Sequence, residues 1–140
     1  VFVASYLCAL AASQDGDHTA AMGWVGRLAQ AHRRLAMHPP SELLEDLGGL
    51  LHRAGHEGDA VRSLAAASAR HARDGLPWPR LPASQQVMAE LTASMPASLY
   101  GRLWRSGERL GTAPDPSVLL DALLPDSGVS GSSPQPADSA

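Results

Sequence analysis

His52 and His56 stand four residues apart, a spacing that could set two imidazoles side by side on a helix and offer them to one metal ion. Gly55 falls between them at a helix end, and no Cys or third His nearby completes a ligand set. No metal site is expected. His52 reads instead as a basic residue near a helix C-terminus, where the macrodipole favours it, and His71 and Arg73 read the same way. Cys8, the single cysteine, lies in an apolar segment and reads as a structural thiol, not half of a Cys–His dyad. Ser5, Ser13 and Ser63 lack the Gly-x-Ser-x-Gly context of a nucleophile turn. The 140 residues contain no Lys, which excludes a P-loop lysine, a Schiff base and a Ser–Lys dyad. The chain therefore reads as a non-enzyme with no catalytic residue, cofactor or metal.

Two groups of residues remain that could touch a partner. Trp78 sits between Pro77 and Pro79, where it either pins an extended linker or lines a partner groove. Arg27, Arg33 and Arg34 form a basic patch, and Arg102, Arg105 and Arg109 a second. With a formal net charge of −3 these arginines read as solvated helix faces, and no direct nucleic-acid binding is expected. Trp78, Arg27, Arg33 and Arg34 are the candidate partner contacts. Trp24, Tyr100 and Trp104 read as core, the last two against the helix around Leu91.

The elements that must position these residues are helices. Aromatics are 4% of the chain, so the core has to be built from Leu, Ala and Val. Residues 2 to 13 predict a helix with Val3, Tyr6, Leu7, Leu10 and Ala11 inward. A turn at Gln14–His18 leads to a second helix, from about Thr19 to Met37, with Met22, Val25, Leu28, Ala29, His32 and Leu35 on one side. Pro39-Pro40 stops it. A hairpin follows over Pro40 to Asp74. Its first helix carries the stripe Leu43, Leu44, Leu47, Leu50 and Leu51, with Glu42, Glu45 and Asp46 placed where the dipole favours acid. Asp59 is the expected cap of its second helix, whose inner face is Val61, Leu64, Ala65 and Ala72, with Ser68 alongside. The Ala run at 65, 66, 67 and 69 suits close helix approach.

Gly75 is expected to close that helix in a left-handed turn. Three prolines keep 76–82 extended. A helix over Ser84 to Ser94 carries Val87, Met88 and Leu91. Another starts at Pro96 with Leu99, Tyr100, Leu103 and Trp104, and Gly107 to Pro114 reads as a loop. Asp115-Pro116 is a good start for a last helix with Leu119, Leu120, Leu123 and Leu124. The division is two helical hairpins over 1–75, a Pro-rich linker over 76–82, a helical cap over 83–124 and a disordered tail over 125–140. Val1 stands where an initiator Met would be expected, which reads as a fragment. The apolar opening segment lacks a basic leader and reads as a helix, and no apolar run is long enough for a membrane span.

Asp15-Gly16-Asp17 and Glu57-Gly58-Asp59 precede similar helices and suggest an internal repeat of 42 residues. The hairpin with its Gly55-His56-Glu57-Gly58-Asp59 turn resembles the tetratricopeptide class, whose usual period is about 34. A further resemblance covers Asp59 to Leu124, through Ala65-Ala66-Ala67, Gly75-Leu76-Pro77-Trp78-Pro79, Tyr100 to Gly107 and Val118 to Leu124. These segments are similar to the C-terminal helical tail of large bacterial regulators that carry a P-loop signal-transduction ATPase, of LuxR, SARP or cyclase-linked type. The resemblance implies an all-α tetratricopeptide-like solenoid with a helical cap. It also implies a cytoplasmic, non-catalytic interaction segment whose partner is another protein or its own upstream ATPase module. The rival expectation is the tail of an enzyme such as a nucleotide cyclase.

Overall fold

The computed structural model describes residues 2–123, with side chains from Leu7 onward. The expected contributions of Val3, Tyr6 and Leu124, and the tail expected to be disordered over 125–140, lie outside these residues. Among the described residues there are seven helices and no strand: α1 (Phe2–Gln14), α2 (His18–Arg34), α3 (Ser41–Arg53), α4 (Glu57–Arg73), α5 (Pro82–Ser94), α6 (Ala97–Gly111) and α7 (Pro116–Leu123). No helix among them is long and apolar enough to cross a membrane.

The repeat is present, but its period is 39 residues, not 42. Helices α1 and α3 each have 13 residues, and α2 and α4 each have 17. The starts of α2 and α4, His18 and Glu57, set the period. The turns agree. Gly16 and Gly55 both have positive φ, +80° and +87°. Asp17 N–H donates to Ala12 O as His56 N–H donates to Leu51 O. Matching Gly16 to Gly58 fails because Gly58 lies inside α4; the residue that needs the left-handed conformation is Gly55. For the same reason Asp59 is not the N-cap of α4. His56 occupies that position, and Asp59 lies in the first turn, paired with Arg62. In the first hairpin an aspartate does cap the second helix: Asp17 accepts from Ala20 N–H at 3.0 Å.

The core lies mainly along α3 and α4. Leu44, Leu47, Leu50 and Leu51 from α3 meet Ala60, Val61, Leu64 and Ala67 from α4, all buried. Leu43 is half-buried, Ser68 sits at the margin, and Ala72 is exposed, because the inner stripe drifts to His71 in the last turn of α4. Helix α2 buries Val25, Leu28, Ala29 and His32 but ends at Arg34, leaving Leu35 57% exposed. Among the described side chains of α1, Ala9 and Ser13 are buried, and Leu7 and Ala11 face solvent. A mostly apolar helix gives little periodicity from which to choose a face, which is why α1 is rotated from the expected orientation.

The cap also differs from expectation. Gly107 to Gly111 is not loop but the second half of α6, which packs on α4. A Cβ at Gly107 would lie 2.7 Å from Ala65 Cβ, and one at Gly111 would lie 2.6 Å from Ala66 O. Glycine serves here for close approach: two small residues one turn apart let α6 press onto the Ala-rich face of α4. Helix α5 starts at Pro82, two residues before the expected Ser84, with proline in the first turn where its missing N–H costs nothing. Asp115 caps α7, accepting from Ser117 N–H and hydroxyl at 2.9 Å each, and these bonds hold its carboxyl below the usual carboxylate range.

Candidate interaction surface

Glu45 is the residue that fixes the linker. It is 1% exposed and sits on α3 one turn after Ser41. One carboxylate oxygen is paired with His71 Nε2 at 3.1 Å and accepts from Arg80 N–H at 3.4 Å. The other accepts from Leu81 N–H at 2.8 Å and Ser84 hydroxyl at 2.6 Å. A buried carboxylate needs that many donors, and here they come from three elements at once. Arg80 also pairs with Glu42 at 3.2 Å. The extended segment 76–82 is thereby held against the α3–α4 hairpin.

Ser41, His71 and Glu45 form a serine–imidazole–carboxylate chain, with Ser41 Oγ 3.4 Å from His71 Nδ1. Acyl transfer requires a hydroxyl that a substrate carbonyl can reach. Ser41, His71 and Glu45 are 6%, 0% and 1% exposed, and the Trp78 ring lies over His71 at 5.6 Å. The arrangement secures the linker, with all three side chains buried. Sequence reading missed it because Glu45 fitted the helix-dipole pattern equally well.

Holding the linker places Trp78. Its ring meets Trp104 edge-on at 6.3 Å, and Trp104 stacks on Tyr100 at 5.9 Å. These three aromatics, with Met88, Gly101 and Arg105, line an open groove of about 450 Å³. Gly101 has no side chain to fill it. Tyr100 and Trp104 were expected in the core; both are instead half-buried, one side on the cluster and the other toward the groove. Burial pushes the Tyr100 phenol above its ordinary value. Trp, Tyr, Met and Arg side by side at a half-open surface are the composition enriched at protein interfaces.

The basic patch on α2 does not join this surface. Arg27 lies over the Trp24 ring at 4.5 Å, Arg33 is bonded to Asp121 at 2.8 Å, and Arg34 is exposed at the helix end. Of the four candidate contacts, Trp78 alone belongs to the aromatic groove. His52 lies between Glu90 of α5, at 2.7 Å, and Glu57, at 3.8 Å, and so ties α3 to α5. Cys8 is half-buried in α1. Compared with protein-family models, curated proteins and solved structures, the chain matches none of them.

Proposed function

We propose that this chain is a non-catalytic, tetratricopeptide-like interaction segment, the C-terminal tail of a larger ATP-dependent transcriptional or signalling regulator in the cytoplasm. Its partner is a protein, either a separate chain or the regulator's own upstream ATPase module. The observation that supports this reading best is the Trp78–Tyr100–Trp104 groove. A buried carboxylate bonded to the linker sets Trp78 against Trp104, which stacks on Tyr100, so three of the few aromatic rings meet at one half-open surface. The 39-residue repeat of two hairpins with equal helix lengths supports the solenoid reading.

The test is site-specific photocrosslinking in the producing cell. A photoreactive residue in place of Met88, which lines the groove, captures a defined protein; the same residue in place of Gln30, exposed on α2, does not. Equal capture at both positions, or none at Met88, rejects the groove as the interaction surface. Calorimetric titration with Mg-ATP is expected to show no binding, and measurable binding would reject the non-catalytic assignment.

A further inference from the structure

In a stack of hairpins the second helices of neighbouring units ordinarily pack side by side. Here α2 and α4 scarcely touch. Helix α7 stands between them, packed on α2, α4 and α6. We propose that α7 is an internal ligand: it occupies a helix-binding groove between the first and second hairpins, and a partner helix presenting Leu-Leu-Asp-x-Leu takes its place.

The chemistry of the seat follows from what holds α7. Leu119, Leu120 and Leu123 are at most 3% exposed. Leu120 faces Val25, Leu28 and Ala29 across a small apolar cavity of about 20 Å³. Around this apolar floor the two hairpins supply polar groups: Arg62 and Arg33 reach α7 itself, and His38 and Arg70 hold the segment that leads into it. Arg62 donates to Ala122 O at 3.0 Å, at the C-terminal end of α7, where a cation is favoured. His38 Nε2 meets Pro114 O at 3.0 Å, and Arg70 donates to Gly111 O at 3.4 Å. Arg33 reads a side chain, the Asp121 carboxylate at 2.8 Å. A groove that reads three leucines, one carboxylate and one main-chain carbonyl near the helix end does not require the rest of the α7 sequence. Any amphipathic helix with that pattern satisfies it, the helix-in-groove mode of recognition.

Helix α7 is also built to leave. It has eight residues, too few to be stable as a helix without its seat. It is joined to α6 by Thr112–Asp115 alone. Val118 is 46% exposed and the Asp121 side chain 67%, so part of the clasp lies in water. Its opening exposes three leucines and leaves the α3–α4–α6 packing in place.

This inference draws on the interaction-segment reading only for the existence of a partner. The seat is tested with a peptide of this chain's own residues 112–124, so its failure leaves the aromatic groove unaffected. In the full chain, hydrogen exchange should show the α7 amides opening at least a hundredfold more readily than those of α3 and α4; exchange only through global unfolding overturns the proposal. The full chain carrying Leu120→Asp and Leu123→Asp should keep its helical circular dichroism apart from one short helix and bind the peptide at least tenfold tighter than the unsubstituted chain. Loss of the whole fold, failure to bind, or equal binding to both chains overturns it. Arg33→Asp added to that chain should weaken the peptide at least fivefold, and a peptide with Asp121→Arg should recover the loss. No recovery overturns the assignment of the carboxylate.

Discussion

The first and second hairpins share helix lengths, turn geometry and a buried histidine at matching positions, His32 and His71, yet they are packed very differently. Helix α4 is enclosed by α3 and by α6, and six of its apolar side chains are fully buried at Ala60, Val61, Leu64, Ala65, Ala66 and Ala67. Helix α2 has α1, a smaller contact with α3 and the short α7, and its hairpin leaves Leu7, Leu35 and Met37 exposed. His71 is bonded through both ring nitrogens to Ser41 and Glu45; His32 faces the apolar space beside Leu120, and burial lowers its pKa. Even the closing turns differ. Gly75 takes φ +71° freely, whereas its counterpart Ala36 adopts φ +52° with a side chain that disfavours it. Repetition of backbone does not repeat stability: that depends on what each unit is given to pack against.

Core truncation gives the largest effect on this comparison. Leu64→Ala, at 0% exposure between α3 and α6, should cost about 2–5 kcal/mol. Leu28→Ala, beside the small cavity on α2, should fall at or below the lower end of that range. Equal losses in denaturant unfolding would break the contrast between the hairpins. Next come the glycines. Gly107→Ala forces a Cβ into Ala65 and should cost about 1–3 kcal/mol. Gly26→Ala, with nothing within 4 Å of the added carbon, should stabilise by up to about 1 kcal/mol. A pair of changes with the same sign would show that α6 does not depend on that close approach.

Smaller still is the exchange of closing residues. Ala36→Gly should raise stability by about 0.5–1 kcal/mol and Gly75→Ala should lower it by a similar amount, read as opposite shifts in Tm. A pH dependence belongs to the second hairpin as well. Burial raises the Asp46 carboxyl to about 6, against the opposing pull of Arg53. The folded chain thus holds this proton more tightly than the unfolded one. The resulting stability is complete below about pH 4 and is lost as pH rises through 6. Asp46→Asn should therefore raise Tm slightly at pH 7 and leave it unchanged at pH 3.5. A Tm gain at the lower pH would contradict the assignment.

Much of this was legible in the residues. The leucine stripe of α3, the left-handed Gly75, the proline-held linker and the Asp115 cap follow from local rules, and the structure has each of them. Wherever a residue type serves two purposes, the sequence left the choice open. Gly107 and Gly111 read as helix breakers and are contact residues, because only the facing Ala65 and Ala66 show that a backbone must come close. Glu45 read as a dipole charge and is the acceptor for the linker, because its donors lie 26 to 39 residues away in the chain. Trp104 read as core and lines a groove, since helical spacing names a face without saying what covers it.

The sequence by itself thus determined that the chain is helical, where most helices begin and end, and that it repeats. These are consequences of periodicity, caps and backbone conformation within a few residues of one another. Tertiary structure decided the register of the repeat, the half-open setting of the aromatic groove and the placing of α7 between α2 and α4. Those outcomes depend on which surfaces meet, and that is settled by long-range burial and by the donors a buried carboxylate can gather.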